Sequence, residues 1–200
     1  SLKGVNKVFN FHNCPGMIRY SYRHSLQGVL LMSINNSEKY YGVVVLRLLE
    51  ELGRSIPQTN FSLKTGESLS SFAIHGISPK TLGKGNICSI GLFIKISNSR
   101  RTPWSYSFDR SHQDEIAQLK KAHDQVFVAF VAGDDGIACI NFEQLKELLD
   151  SNHEQQEWVR VSRKLRQNYR IKGNDGSLER PLPRNSFPMN IVTFLKSQLD

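Results

Sequence analysis

Acid is what this chain lacks first: in 200 residues the earliest carboxylate is Glu38 and the earliest aspartate is Asp109. Cysteine is scarce as well. Cys14, Cys88 and Cys139 are odd in number and widely spaced, and none belongs to a CxxC pair or a Cys/His cluster. That excludes a disulfide framework and a structural zinc site, and it fits reduced thiols in a cytoplasm. Long apolar runs are also missing. Tyr40 to Leu49 is interrupted by Arg47, and Val126 to Ala132 is shorter still; a membrane-spanning helix needs roughly 20 residues. The N-terminus carries positive charge without an apolar h-region, so no secretory signal is expected. Neither GxxxxGK[ST], GxGxxG, GxSxG nor HExxH occurs, which argues against a P-loop ATPase, a dinucleotide enzyme, an α/β-hydrolase or a zincin.

What is present is positive charge. The 26 Lys and Arg outnumber the 18 Asp and Glu, for a formal net charge of +8. The excess is uneven, because Glu143 to Glu157 is acidic whereas Arg160 to Arg184 carries eight basic side chains against Asp175 and Glu179. Such a bias points to a polyanion, DNA or RNA, with a solvated basic face as the bland alternative. With 39% hydrophobic and 22% charged residues the chain can bury a core. It is expected to be a single domain over 1–200, divisible at most into 1–89 and an α/β core with a C-terminal hairpin and helix over 90–200.

Periodicity predicts the elements. Residues 17–34 read as two strands, the first with a basic face of Arg19 and Arg23. Tyr41, Val44, Val45, Leu48, Leu49 and Leu52 follow at helical spacing until Gly53, a candidate C-cap. Phe61/Leu63 and Phe72/Ile74 mark short strands, and 78–86 reads as an exposed loop suited to cover a ligand. Ile90–Ser97, Trp104–Phe108, Val126–Ala132 and Ile137–Ile140 are strands, with Gly133-Asp-Asp-Gly136 a hairpin turn. Helices are expected over 111–123, capped by Ser111 with Asp114, and over 141–150, capped by Asn141. Trp158–Arg163 and Tyr169–Lys172 are strands, Gly173–Gly176 is a turn, and Phe187–Leu199 is a helix entered through Pro188.

Two constellations carry chemistry. In Phe93-Ile-Lys95-Ile, residues two apart share a strand face, so Phe93 and Lys95 point one way and Ile94 and Ile96 the other. Arg100 and Arg101 follow at the strand exit, ahead of Trp104. The second constellation is the basic tail, Arg160, Arg163, Lys164, Arg166, Arg170 and Lys172 interleaved with Trp158 and Tyr169, which suits phosphate contacts combined with base stacking. Alternation places Trp158 and Arg160 together and Val159 and Val161 opposite. The bland alternative pairs these arginines with the acidic 143–157 segment. Asp134-Asp135 reads chiefly as a turn signature, and the six histidines are isolated.

The strand ending Ile-Lys95-Ile-Ser, the arginine-bearing turn, the strand Trp104-Ser-Tyr-Ser-Phe108, the helix from Ser111 and the strand from Val126 together resemble the second half of the restriction-endonuclease-like, PD-(D/E)XK, nuclease fold. The resemblance covers about 60 residues, by pattern more than by motif. It implies an acid two residues before the lysine, which with an upstream aspartate would hold Mg2+ or Mn2+ and prepare a water for attack on a phosphodiester. Phe93 occupies that position, and the upstream aspartate is missing. Glu67, or Glu50 or Glu51, are the available substitutes, so the resemblance implies relocated ligands or lost catalysis.

The expectation is therefore an α/β (α+β) domain with a central mixed sheet, flanking helices and a basic β-rich C-terminal part. Its expected role is a cytoplasmic, nuclease-like domain that binds DNA or RNA in DNA transactions or defence, without a membrane. Lys95, Arg100, Arg101, Trp104, Arg160, Arg163, Lys164, Arg166, Arg170 and Lys172 are the candidate nucleic-acid contacts. The alternatives are a protein-interaction module for an acidic partner or a second copy, and an active metal-dependent nuclease using Lys95 and Glu67.

Overall fold

In the computed structural model, residues 36–66, 68, 70–77, 87–150 and 156–199 are described. The expected strands at 17–34, the loop at 78–86 and Glu67 lie outside these. The fold is α+β, organised around one mixed sheet of order β1-β2-β3-β5-β6. β1 (Asn60–Thr65), β2 (Ser71–Ile77) and β3 (Ile87–Ser97) form an antiparallel meander. β5 (Gln125–Ala132) lies parallel to β3, from Ile90 opposite Gln125 to Ser97 opposite Ala132, and β6 (Ile137–Asn141) returns antiparallel to β5. A second, antiparallel sheet joins β4 (Trp104–Phe108), β7 (Glu157–Ser162) and β8 (Arg170–Gly173), with β7 in the middle.

Strand alternation sorts the central sheet's side chains into two apolar layers. Ile90, Leu92 and Ile94 of β3, with Phe127, Ala129 and Val131 of β5, face α1 (Asn36–Ser55) and α4 (Ser186–Leu199). Phe93, with Val126, Val128 and Phe130, faces α2 (Arg110–Ala122), α3 (Phe142–Lys146) and the inner side of the second sheet. α1 contributes Val44, Leu48 and Leu52 at intervals of one turn, each no more than 1% exposed. Burying each such side chain stabilises the fold by roughly 2 kcal/mol. Aromatic rings couple the two sheets, with Tyr106 and Phe130 centroids 4.9 Å apart and the Tyr106 hydroxyl donating to the Val131 carbonyl at 2.9 Å. The outer edge of β6 is covered by α4, since Ser186 Oγ accepts from the Cys139 N–H at 3.1 Å and Asn190 Nδ2 donates to the Cys139 carbonyl at 2.8 Å.

Three boundaries differ from the sequence expectation. α1 runs through Gly53 to Ser55. α2 is capped by Asp109, whose side chain accepts from the His112 N–H, in place of Ser111; Asp109 sits one residue before the helix, where an extended backbone leaves its carboxylate free to reach back. α3 ends at Lys146 instead of extending to 150. Its last turn tightens, with the Leu148 N–H on the Leu145 carbonyl at 3.0 Å, and the Leu148 carbonyl is taken by the Asp175 N–H at 3.1 Å. Asn141 caps α3 as expected, paired reciprocally with Gln144.

The close approach of β8 to the end of α3 is possible only at glycine. An added Cβ at Gly173 would lie 2.1 Å from the Leu148 carbonyl oxygen, whereas one at Gly42 on α1 meets nothing within 4 Å. Gly173→Ala should therefore cost about 2 kcal/mol or more in denaturant unfolding, while Gly42→Ala should gain about 0.5–1 kcal/mol from helix propensity. Equal effects at the two positions would mean that β8 does not sit against α3 in this way.

Candidate nucleic-acid interface

The two basic constellations end up in different environments. Lys95 projects with Phe93 into the layer between the sheets and stops beneath β4 and α2. Its Nζ lies 3.3 Å from His112 Nε2 and 5.1 Å from the Phe108 ring centroid. Burial lowers the ammonium to a pKa of about 8, partly opposed by the Asp109 carboxylate. Burial and then the Lys95 charge hold the His112 imidazole below its usual value, with Asp109 and Glu115 opposing. While Lys95 is charged, Nε2 accepts its hydrogen bond, so Nδ1 carries the ring proton toward Asp109 Oδ1 at 2.9 Å. Once Lys95 is neutral, a bare Nδ1 can instead accept from the Asp109 N–H at 3.3 Å. Asp109, His112 and Lys95 thus form a short proton-sharing chain.

No metal-ligating group of three acids or histidines surrounds Lys95 among the described residues; the one such group is Asp150, Glu157 and Asp175. Phe93 is fully buried in the position where the resemblance calls for an acid. Glu50 and Glu51 ride on α1, across the central sheet from Lys95, and Glu51 is engaged by Arg54 at 3.0 Å and Ser55 at 2.6 Å. Glu115 is likewise occupied, accepting from the Ser71 hydroxyl at 2.5 Å and the Ser68 N–H at 3.2 Å.

Three of the other candidate cations, Arg160, Arg170 and Lys172, lie on the second sheet. Its inner positions, Tyr106, Phe108, Val159, Val161 and Ile171, are core. Alternation therefore turns Ser105, Ser107, Trp158, Arg160, Ser162, Arg170 and Lys172 outward, and no acid is among them. The register sets Ser105, Arg160 and Lys172 in one row across the three strands, with Ser162 opposite Arg170. The Arg160 guanidinium lies over the Trp158 ring, 5.1 Å from its centroid, while Nε reaches Ser105 Oγ at 3.4 Å. The expected sharing of a face by Trp158 and Arg160, with Val159 and Val161 opposite, is what the strand shows.

Arg100, Arg101, Lys164 and Arg166 are exposed and extend this surface at one end. The Arg163 N–H donates to Thr102 Oγ1 at 3.2 Å, which brings the turn at 98–103 beside the loop at 163–169. Leu165 stands 84% exposed between Lys164 and Arg166 at the tip of that loop, and Arg166 turns the chain with a φ of 63°.

Three of the expected contacts do not lie on the outer face: Lys95, held against His112 and Phe108, and then Trp104 and Arg163. Trp104 is only 2% exposed, and its indole N–H donates to the Ser99 carbonyl at 3.0 Å. It is a core residue because it begins β4 on the inward parity, and the accessible indole is Trp158. Arg163 is also withdrawn: its guanidinium makes a two-pronged ion pair with Asp135 and lies over Tyr169, whose hydroxyl donates to the same carboxylate at 3.1 Å. Asp135 is a turn residue as expected, in a hairpin whose Gly133 and Gly136 take positive φ of 52° and 146°. Its second task, anchoring β7 to the β5–β6 turn, had no sequence signal. Nor did Glu157, which the acidic run disguises as a surface residue but which is 4% exposed.

The half-buried Lys95 predicts an unusual pH dependence. An unfolded lysine keeps its proton up to about 10.5, whereas Lys95 gives it up near 8. Between those values the unfolded state binds more protons, so this group makes the fold more stable as pH rises and leaves a penalty below pH 8. Lys95→Met should raise Tm at pH 7, and the difference should shrink as pH approaches 10.5; a pH-independent difference would contradict a desolvated charge. Arg163→Ala should cost about 2 kcal/mol by stranding Asp135, and in chemical denaturation Arg160→Ala should fall well short of that.

Comparison with protein-family models, with curated proteins and with solved structures gives no match. The functional reading therefore rests on this chain's own geometry.

Proposed function

We propose that this protein binds nucleic acid, with single-stranded DNA or RNA lying across the outer face of β4, β7 and β8, as a nuclease-like domain in DNA transactions or defence. The observation that carries this is the composition of that face: Trp158, Arg160, Arg170 and Lys172 among serines, without an acid, on a sheet whose other side is core. Cations at strand spacing meet successive phosphates, and an indole or guanidinium plane offers a stacking surface to any base. Arg100, Arg101, Lys164 and Arg166 lengthen the track beyond the sheet. The strand, turn, strand, helix and strand behind the nuclease resemblance correspond to β3, the 98–103 turn, β4, α2 and β5, which supports the nuclease-like part. Phe93, with Glu50 and Glu51 beyond the sheet, speaks for lost catalysis.

Binding to a labelled oligonucleotide should weaken steeply between about 50 and 200 mM salt, as counterion release requires. Each of Arg160→Ala, Arg170→Ala and Lys172→Ala should reduce the salt slope by about 1, and Lys95→Met should leave it unchanged. Affinity indifferent to salt would overturn the proposal. Capture of an acidic protein that survives nuclease digestion, without oligonucleotide binding, would assign the same face to a protein partner.

A further inference from the structure

At the end of the second sheet remote from the 163–169 loop, three carboxylates converge from separate connections. Asp150 follows α3, Glu157 opens β7, and Asp175 lies in the turn after β8. One oxygen of each lies within 4.8 Å of those of the other two. Asp150 and Asp175 are exposed, whereas Glu157 is 4% exposed. Glu157 Oε1 accepts from the Asp150 N–H at 3.0 Å. Glu157 Oε2 is enclosed and receives no hydrogen bond. A buried carboxylate oxygen without a donor is costly, and other carboxylates as neighbours make it more so.

The surrounding backbone holds the three acids in place. The Asp175 N–H is bonded to the Leu148 carbonyl at 3.1 Å, the Trp158 N–H to Asn174 Oδ1 at 3.0 Å, and the Gly173 N–H to the Gly176 carbonyl at 2.8 Å. The backbone positions of the three acids are therefore fixed by the junction between α3, β7 and the β8 turn. A positive charge where the three converge would offset their mutual repulsion and the cost of burying the Glu157 carboxylate.

We propose that Asp150, Glu157 and Asp175 bind a hard divalent cation, calcium in preference to magnesium. Oxygens around a calcium ion at about 2.3–2.6 Å can stand up to about 5 Å apart, whereas the roughly 2.0–2.1 Å bonds of magnesium limit them to about 4 Å. Oxygens no more than 4.8 Å apart fit within a calcium shell, and three protein carboxylates are more than magnesium usually takes. The exposed sides of Asp150 and Asp175 leave room for water ligands, which calcium sites commonly retain. The ion would pin α3 to β7 and β8 beside Trp158, and so hold one end of the basic face. This site stands independently of the nucleic-acid reading.

The test is calcium binding by the whole protein, read three ways. Calcium added to EDTA-treated protein should raise Tm and give a saturable calorimetric heat, with magnesium weaker. Terbium should occupy the site and luminesce on indole excitation through Trp158, and calcium should quench that emission. Asp175→Asn, at an exposed position, should fold normally and weaken calcium by about tenfold or more; Glu157→Gln should do the same where it folds. Trp158→Phe should abolish the terbium signal while keeping the calcium heat. The proposal is overturned if calcium changes neither Tm nor heat, or if Asp175→Asn binds it as the native protein does. It is also overturned if Glu157→Gln stabilises the protein while calcium does nothing, since a proton shared between Glu157 and Asp175 would then satisfy the enclosed oxygen.

Discussion

The parallel pairing of β3 with β5 is the constraint on which the other elements depend. Parallel neighbours need a long crossover, and here it contains β4 and α2. Both faces of the pair must be covered, because both strands are apolar on both sides. α1 and α4 cover one face. The other is too broad for α2 alone, and the second sheet completes it, bound through Tyr106, Phe108 and Phe130. Loss of the pairing would expose both layers at once.

That geometry divides the positive charge into two kinds. Lys95 is on the parity of β3 that faces the second sheet, so its ammonium is desolvated and shares a proton-holding chain with His112 and Asp109. Arg160, Arg170 and Lys172 have the opposite parity on strands whose inner side is already committed to the core. They are outward by necessity, in fixed register, and unpaired with acid on their own face. A cationic surface in fixed register results from the same alternation that builds the core. Arg163 shows the contrast, since Asp135 draws it inward to tie β7 to the β5–β6 turn.

Much of this was legible from residue patterns because the patterns are local. Alternation at 93–96 and 158–161 places side chains correctly, and Gly133 to Gly136 declares its hairpin. The partition of strands into two sheets was not legible, since β4 and β7 are about 50 residues apart and only tertiary packing joins them. Trp104 illustrates the consequence: beside Arg100 and Arg101 it reads as a surface aromatic, yet its parity in β4 makes it core. Asp109 takes the place of Ser111 as the α2 cap because the helix starts at Arg110, two residues earlier than a Ser111 cap would give. Glu157 looked like part of an acidic surface run, and its burial follows from pairing with Phe108 at the start of β7, a contact without a sequence signature.

The outer face of β4, β7 and β8 as the nucleic-acid surface is tested most directly by mapping amide and indole chemical-shift changes during titration with a single-stranded oligonucleotide. Changes centred on Ser105, Trp158, Arg160, Arg170 and Lys172, fading toward α1 and α4, are expected. Changes centred on Lys95 and His112, or none at saturating oligonucleotide, would contradict it.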